Sequence, residues 1–334
     1  MRLLIDKFNR IHNYLRISLT DKCNLNCIYC NPENEIFEKL TMQHILNYEE
    51  LIRLIKIFVV DFGITKIRLT GGEPLARKNI LSFFGMLAEL KRNYPFELGI
   101  TTNGTLLENK ISELKRLGLD KINISLDTLN PEKYKKITGK DEFKTVLNSI
   151  LLAEKLGFSP VKINTVIMKG INDDEIIDLV EFVKERDFNI RFIEYMPFTS
   201  NGWNDESFIS SEGIKKLVEL NYELRELKNG KINVANDFQI VGCKGKVSFI
   251  SSISNHFCDS CNRLRITAEG NLKLCLFSPQ NKEISLKYYL RSENYSDNYI
   301  AEVIFNSLQL KKLKHPEIEE LLQIDQNNML RIGG

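Results

Sequence analysis

The chain has 334 residues, of which 43% are hydrophobic and 27% charged, and its 46 basic and 44 acidic side chains leave a net charge of +2. This length is enough for one large α/β domain and a smaller one, and the nearly balanced charge, with neither a basic run nor an acidic tail, excludes a nucleic-acid-binding stripe. No stretch approaches the roughly eighteen apolar residues of a membrane span, and the first residues are too highly charged for a secretory leader, so we expect a cytoplasmic protein without a membrane anchor.

The first two thirds of the chain alternate between strand and helix patterns. Apolar runs typical of strands occupy 14–19, 64–70, 97–102, 120–126, 161–168 and 190–196. Apolar residues at helical spacing occupy 47–63, 79–93, 107–118, 143–157 and 172–186. Six such steps with short loops predict parallel strands joined by right-handed crossovers, in a partial α/β barrel or a doubly wound sheet.

The unusual residues favour the barrel, because they follow the carboxyl ends of many strands rather than of one pair. Cysteines follow the first strand, and the later strands end in GGEP (71–74), TNG (102–104), SLD (125–127) and EYMP (194–197). A barrel collects its chemistry on this face from several strands, whereas a doubly wound sheet concentrates it at one switch point.

The sequence pattern changes after about residue 205. Short β-like alternation occupies 231–254, and 263–277 is typical of a hairpin. We therefore predict a first domain at 1–230, in which 205–230 is a connecting helix, and a second domain at 231–334.

Seven cysteines, six of them in two tight groups, indicate metal binding or catalysis rather than a disulfide framework. In the first group Cys23, Cys27 and Cys30 are spaced C-x3-C-x2-C in the loop after the first strand. Three thiolates at these separations can hold three irons of a four-iron cluster and leave the fourth iron open for a ligand. The alternatives are a zinc knuckle that lacks one ligand and a thioredoxin-type redox pair at 27–30.

This loop resembles the signature of the radical S-adenosylmethionine superfamily, including Tyr29 before its last cysteine, and GGEP resembles the glycine-rich turn of that family. The resemblance implies a partial (β/α)6 barrel, a [4Fe-4S] cluster on the three cysteines, and S-adenosyl-L-methionine, whose cleavage yields a radical that abstracts a substrate hydrogen. It also places Tyr29, Gly72, Ser125 and Met196 against S-adenosylmethionine. Glycine suits such a turn because it lets the backbone approach a ligand closely.

The second group, Cys258, Cys261 and Cys275, also offers three ligands, whereas a closed structural site takes four. Cys243 would complete a four-cysteine zinc site, although a small buried apolar role explains it more simply. His256 is too close to Cys258 for the usual ligand spacing. The other possibility is that the substrate supplies the fourth ligand.

The stretches FCDSCNRLRIT (257–267), LKLCLF (272–277) and RIGG (331–334) resemble the GTP 3′,8-cyclase family of molybdenum cofactor biosynthesis, and the resemblance extends over essentially the whole chain. It implies a carboxy-terminal iron–sulfur domain whose second [4Fe-4S] cluster binds the guanine of GTP. It carries GTP contacts over to Arg16, Arg68, Thr101, Lys162, Arg263, Leu264 and Arg265. Asn31, where the family usually has Met, departs from the pattern outside the ligand set.

The implied reaction is the first step of molybdopterin biosynthesis, in which a lyase converts GTP to 3′,8-cyclo-7,8-dihydro-GTP through a radical at C3′ that attacks C8. The resemblance also implies a homodimer, a flavodoxin-like electron donor, and transfer of the product to a cyclic pyranopterin monophosphate synthase. The resemblance further implies that the tail with Gly333 and Gly334 reaches into the barrel. We expect it to help position the nucleotide or an arginine beside it, and glycines suit this place since they can thread a narrow gap.

Two other functions remain open at this point. A radical enzyme that modifies peptides could use the second cluster as an auxiliary cluster, and it would bind a peptide instead of a nucleotide. A redox carrier or sensor would hold clusters without turnover, but it needs neither the GGEP turn nor the set of arginines.

Overall fold

The computed structural model describes residues 2–30, 39–198, 201–227, 235–323 and 329–333. In these ranges the strands, β1 to β12, are Tyr14–Ser18, Lys66–Thr70, Glu97–Thr102, Lys121–Ser125, Val161–Ile167, Phe188–Glu194, Leu224–Glu226, Asn236–Ile240, Lys246–Ile250, Arg263–Ile266, Asn271–Lys273 and Ile284–Ser285. The α-helices, α1 to α11, are Tyr48–Val60, Ile80–Asn93, Ile111–Arg116, Pro131–Thr138, Phe143–Lys155, Ile176–Lys184, Ser211–Glu219, Leu286–Arg291, Asp297–Leu308, Ile318–Leu321 and Met329–Ile332.

All twelve strands belong to one sheet, in the order β12-β11-β10-β1-β2-β3-β4-β5-β6-β9-β8-β7. Strands β1 to β6 are parallel and follow chain order, as the alternating sequence pattern predicted. This arrangement is the partial (β/α)6 barrel of the sequence-based expectation, and the helices between the strands cover its outer face.

The strands place apolar side chains outward and polar ones inward. Strand β5 shows the pattern: Val161, Ile163 and Ile167 lie in the main hydrophobic core, while Lys162 and Asn164 alternate with them and face inward. Successive residues of a strand point to opposite faces, so one strand can serve both the core and the interior of the barrel. The interior is therefore polar, which is the condition for a site that binds a charged ligand.

Local signals explain where the helices begin and end. Helix α1 begins after Asn47, whose side chain accepts a hydrogen bond from the Glu50 amide at 2.7 Å, while the Glu50 carboxylate accepts one from the Asn47 amide at 2.7 Å. This reciprocal capping box satisfies two amides that the first turn would leave unpaired. Gly118 and Gly157 follow α3 and α5 with positive φ angles of 89° and 76°, which glycine adopts without strain.

The carboxy-terminal region extends the sheet at both edges of the barrel. Strand β9 is parallel to β6 and is followed in the sheet by β8 and β7, whereas β10 is parallel to β1 and is followed by β11 and β12. The segment 251–262 therefore leads from one edge of the barrel to the other. The predicted division at 230/231 stays a prediction, because the strands on either side of it share one sheet.

Most predicted elements are present, with shifted ends. The helix predicted at 107–118 begins only at Ile111, and the connecting helix predicted at 205–230 is the shorter α7. The predicted hairpin forms from β10 and β11, but its second strand ends at Lys273. Helix α4 was not predicted, although Asn130 and Pro131 form a good amino-terminal cap. No helix among the described residues is long and apolar enough to cross a membrane.

Candidate functional site

The loop after β1 carries the first cysteine group and is held against the end of α4. The Asn26 amide donates to the Thr138 carbonyl and the Ile28 amide to the Ile137 carbonyl, both at 2.9 Å, and the Cys30 amide closes a turn onto the Cys27 carbonyl. These bonds fix the chain on both sides of Cys27. All three cysteines line one cavity of about 170 Å³, which we call the first cavity.

The two glycines of GGEP are required by the neighbouring protein backbone. A Cβ atom on Gly71 would lie 2.7 Å from the Thr20 carbonyl oxygen, and one on Gly72 would lie 2.5 Å from the Lys22 carbonyl oxygen. The Gly72 amide donates to Thr20 at 2.7 Å and the Glu73 amide to Lys22 at 2.8 Å. The turn thus pairs directly with the cysteine loop, a reason for glycine that the sequence alone did not reveal.

The buried carboxylate of Glu73 ties this turn to the loop after β3. It accepts hydrogen bonds from the Thr102 hydroxyl and the Asn103 amide at 2.8 Å, and from the Leu75 amide at 2.9 Å. Burial nevertheless raises the pKa of Glu73 to about 7. The Asn103 side-chain amide in turn donates to the Cys23 sulfur at 3.7 Å, which suits a thiolate acceptor.

The first three thiols are poorly placed to ionise on their own. Burial, followed by the neighbouring thiols, raises the pKa of Cys27 well above its ordinary value and that of Cys30 to about 12, and burial also raises the pKa of Cys23. Bound iron would offset this penalty, because it stabilises the thiolate form. Within the described ranges no group of His, Cys, Asp and Glu could hold a single metal ion. A set of three thiols around a cavity of this size fits an iron–sulfur cluster better.

The residues that the resemblance assigned to S-adenosylmethionine come together in the first cavity. Tyr29, Gly72, Ser125 and Met196 all line it with the three cysteines. The Tyr29 hydroxyl donates to Asp127 at 2.7 Å, and burial raises the pKa of that carboxyl to about 6. Asp127 was missed in the sequence, although its place in SLD at the end of β4 is a signal. The binding roles of these residues stay predictions.

The second cysteine group surrounds a second cavity of about 130 Å³. Cys258 begins a short 3₁₀ turn, Cys261 immediately follows that turn, and Cys275 lies two residues beyond β11. The Arg10 guanidinium donates to the Cys258 carbonyl at 2.7 Å and thereby fastens the turn to the amino-terminal segment. Three thiols from two segments thus meet at one cavity without a fourth cysteine.

The two candidates for a fourth ligand, Cys243 and His256, differ in their position relative to the second cavity. Cys243 lies in the turn between β8 and β9, packs against the main core, and is absent from the described lining of the second cavity. His256 does line this cavity, and its ring centroid lies 5.0 Å from that of His315, another lining residue. His315 was missed because it is 57 positions from Cys258 in the sequence, as their numbers show.

The middle of the barrel is lined by cations from neighbouring strands. Arg16 stands opposite Arg265 on one side and Arg68 on the other, and Arg16, Arg263 and Arg265 line the second cavity. A third cavity of about 100 Å³ is lined by Arg16, Arg68, Lys162, Arg191 and Arg263, with Tyr14 among them. Sequence analysis missed Arg191, although it alternates with core residues of β6 as Lys162 does on β5.

Burial and mutual repulsion change the pKa values of the groups in this part of the barrel. Burial, reinforced by neighbouring guanidiniums, lowers the pKa of Lys162 to about 8 and those of Arg191 and Arg265 to about 10. Burial would raise the pKa of Tyr14, but the Arg68, Arg16 and Arg263 guanidiniums outweigh it and lower that pKa to about 6. Two carboxylates, those of Glu97 and Asp237, also line the third cavity, but they balance only part of the positive charge of its arginines and lysines. Because excess positive charge in a buried space is costly, this region favours a polyanionic ligand.

Arg68 is held in place before any ligand binds. Its guanidinium donates to the Tyr14 hydroxyl at 2.7 Å, and to the Ile100 carbonyl and the Asn123 side chain at 3.0 Å. On the neighbouring strand a Cβ atom at Gly99 would lie 2.7 Å from this guanidinium, so glycine there makes room for it. The position of Arg68 is therefore preorganised.

The three cavities adjoin one another. The first and second share the lining residues Asn164, Ile193, Met196 and Met329. The second and third share the lining residues Arg16, Asn123, Arg191 and Arg263. The barrel interior thus holds three adjoining cavities, in the order first cysteine group, second cysteine group and cations.

The remaining assigned residues occupy different places. Thr101 lines the first cavity, and its buried hydroxyl has no hydrogen-bond partner among the residues that the structure describes. Leu264 is fully buried in the main hydrophobic core, so only its backbone could meet a ligand. Asn31 lies outside the described residues.

The expectation that the tail enters the barrel is confirmed for Gly333. Arg265 donates to its carbonyl at 2.8 Å, and a Cβ atom at Gly333 would lie 2.1 Å from the Thr70 hydroxyl oxygen. Its φ of 79° also favours glycine. Gly334 lies outside the described residues.

Comparisons with known proteins agree with this arrangement. The sequence matches the Radical SAM superfamily over residues 17–183 and Molybdenum Cofactor Synthesis C over 188–317. It is 44% identical to "GTP 3′,8-cyclase, mitochondrial" of Arabidopsis thaliana over 99% of this chain and 84% of the relative. It is 45% identical to the GTP 3′,8-cyclase of Thermodesulfovibrio yellowstonii over 92% of this chain and 94% of the relative.

Longer relatives and solved structures complete the comparison. The chain spans about half of molybdenum cofactor biosynthesis protein 1 of Dictyostelium discoideum, covering 52% of its length. The structure of Streptococcus suis SuiB bound to S-adenosylmethionine superposes with a TM-score of 0.61 at 15% identity, over 89% of this chain and 69% of that one. At this identity the likeness concerns the fold alone.

Proposed function

The chain belongs to the radical SAM superfamily, and from this premise we propose that it is a GTP 3′,8-cyclase that converts GTP to 3′,8-cyclo-7,8-dihydro-GTP. Membership brings an iron–sulfur cluster and S-adenosylmethionine as cofactors. The proposal adds a second [4Fe-4S] cluster on Cys258, Cys261 and Cys275, and GTP as the substrate bound between the two cysteine groups.

The observation that carries the proposal is that the three cavities of the barrel interior share lining residues and so lie side by side. A radical must meet one particular C–H bond at near-contact distance, so the substrate must be held firmly beside the place where the radical forms. The first and second cavities share Asn164, Ile193, Met196 and Met329, and the second adjoins the cations of the third. A nucleotide could therefore place its base by the second cysteine group, its ribose near the first, and its phosphates among the cations.

At the first cavity the protein holds and orients the cofactors. Cys23, Cys27 and Cys30 would ligate the first cluster, which with S-adenosylmethionine supplies the radical when bound. Tyr29 and Ser125 would contact S-adenosylmethionine, while the pairing of Gly72 with Thr20 fixes the shape of the pocket.

At the other end the cations would recognise the triphosphate. GTP carries about four negative charges, and guanidinium groups suit phosphate because they offer paired donors in a rigid plane. Arg16 and Arg263 line both the second and the third cavity. Arg265 lines the second cavity, and Arg68 and Lys162 line the third. A peptide-modifying enzyme or a redox carrier gives no reason for this concentration of buried cations.

Further partners follow from the same proposal. We place the protein in the cytoplasm, because clusters on six of the seven cysteines need thiolates rather than disulfides, and a reducing compartment maintains them. A flavodoxin-like protein would supply electrons, a homodimer would be the working assembly, and a cyclic pyranopterin monophosphate synthase would consume the product.

Anaerobic turnover tests the proposal. Reconstituted protein is incubated with GTP, S-adenosylmethionine and dithionite, and 5′-deoxyadenosine and nucleotide products are separated by chromatography and identified by mass. We expect GTP to be consumed with formation of an isomeric reduced cyclic nucleotide and 5′-deoxyadenosine. Cleavage of S-adenosylmethionine that leaves GTP intact, with turnover of an added peptide instead, would contradict the proposal in favour of peptide modification.

A further inference from the structure

A buried lysine lies beside the second cysteine group. Lys311 follows the end of α9 and is only 3% exposed. Its ammonium donates a hydrogen bond to the Cys261 sulfur at 3.6 Å and another to the Arg263 carbonyl oxygen at 2.8 Å. One side chain thus contacts both a proposed cluster ligand and the backbone of a residue proposed to bind GTP.

Within the described part of the chain, Lys311 forms no ion pair with a carboxylate. Asp6, a carboxylate in the neighbouring amino-terminal segment, is occupied by Arg10 at 2.6 Å and lies 3.8 Å from His12. Burial of an ammonium without an opposite charge is strongly unfavourable. The side chain that remains to balance this charge is the thiol of Cys261 once it becomes a thiolate.

The contacts of the second cysteine group agree with this pairing. The Lys311 ammonium lies against the sulfur of Cys261, whereas Cys258 of the same group is fastened through its backbone carbonyl, which accepts a hydrogen bond from Arg10 at 2.7 Å. The ammonium is therefore placed at the sulfur of one particular cysteine of the group.

We propose that Lys311 is a positioning residue that raises the reduction potential of the iron–sulfur cluster at the second cysteine group and fixes Cys261 relative to Arg263. This inference rests on the proposed function, because it requires a cluster at that group. Reduction adds one electron, and hence one negative charge, to the cluster. A cation and a hydrogen bond at a ligating sulfur stabilise the reduced form more than the oxidised form.

The same ammonium connects the cluster to substrate binding. Cys261 and Arg263 are two residues apart at the start of β10, and Lys311 holds both. A change in this side chain should therefore affect the cluster potential and the orientation of Arg263 together. A lysine that only filled space would affect neither when replaced by a residue of similar shape.

A redox titration tests the inference in protein that assembles only the second cluster, with Cys23, Cys27 and Cys30 replaced by alanine. The variant Lys311→Met keeps the length of the side chain and removes the charge. Lys312→Met is the matched control, because the Lys312 side chain is exposed. Lys311→Arg restores the charge. The midpoint potential is measured by electron paramagnetic resonance as dithionite is added with mediator dyes.

We expect Lys311→Met to lower the midpoint potential by at least a tenfold change in the one-electron equilibrium, about 59 mV. Lys312→Met should leave it unchanged, and Lys311→Arg should restore most of the loss. An unchanged potential in Lys311→Met, with the cluster assembled, overturns the inference but leaves the proposed function standing. Absence of any cluster at the second group in the background protein overturns the two-cluster proposal and the inference with it.

If the second cluster does not assemble in Lys311→Met, iron analysis and circular dichroism show whether the chain has lost only this cluster or has failed to fold. Selective loss of second-group iron from a folded chain, restored by Lys311→Arg, supports the inference. If Lys311→Met fails to fold, the inference is tested with Lys311→Arg instead. A folded Lys311→Arg protein whose cluster has a midpoint potential near that of the background protein supports the role of the charge. An arginine variant that behaves like the methionine variant contradicts it.

Discussion

Replacement of Gly72 by alanine should disturb the first cysteine group without touching a cysteine. The new Cβ atom would lie 2.5 Å from the Lys22 carbonyl oxygen and 2.9 Å from the Asp21 carbonyl oxygen. Both oxygens belong to the backbone and cannot rotate away as a side chain could. Crowding of this kind costs about 1–3 kcal/mol. Loss of the hydrogen bond from the Glu73 amide to Lys22 adds about 0.5–1.5 kcal/mol. The free energy of unfolding should therefore fall by about 1.5–4.5 kcal/mol.

Anaerobic urea unfolding and iron analysis measure the effect, with Gly85→Ala as the matched control. Gly85 lies inside α2, where an added Cβ atom meets nothing within 4 Å. Removal of a helical glycine should stabilise the control by about 0.5–1 kcal/mol. We expect Gly72→Ala to lose iron and S-adenosylmethionine binding at the first group, while the control keeps both. If Gly72→Ala matches wild type in stability and iron content, the close approach of the two loops is not structurally important and the reasoning fails.

Three further predictions concern the second cysteine group and the cations. Cys243→Ser should leave the iron content unchanged, because Cys243 is absent from the described lining of the second cavity; iron loss would show that protein closes this site. Arg265→Ala should weaken GTP binding by about 1.5–3 kcal/mol in calorimetry while uncoupled S-adenosylmethionine cleavage persists; unchanged affinity would place the phosphates elsewhere. Lys162, whose pKa is about 8, should take up a proton when GTP binds above that pH, so affinity should fall as pH rises through 8. Lys162→Met should abolish this part of the proton uptake measured in buffers of different ionisation enthalpy, and uptake equal to wild type would contradict the assignment.

The sequence predicted the elements that repeat a simple physical pattern. The six parallel strands were predictable because their apolar residues alternate with short helical repeats, as in β5 with Val161 and Ile163. The residues at the carboxyl ends of these strands also predicted which side chains line the first cavity. Helix ends were less predictable: α3 begins only at Ile111, although Leu107 already packs in the same core, so apolar spacing alone did not mark the first helical residue.

Contacts between distant segments were beyond sequence reasoning. Nothing in the sequence shows that strands of the carboxy-terminal region flank both β1 and β6. The pairing of β10 with β1 is what places Arg265 beside Arg16. For the same reason the sequence could not show that His315 faces His256, or that Gly72 packs on Lys22. These contacts depend on tertiary packing, in which residues far apart in the chain become neighbours.

Transfer of deuterium from GTP labelled at C3′ to 5′-deoxyadenosine tests the central claim most directly. If GTP lies between the two cysteine groups as proposed, anaerobic turnover of the labelled nucleotide should give 5′-deoxyadenosine with one deuterium, detected by mass spectrometry. GTP deuterated at another ribose carbon should give unlabelled 5′-deoxyadenosine. Unlabelled 5′-deoxyadenosine from the C3′-labelled substrate, formed while GTP is consumed, would contradict the account.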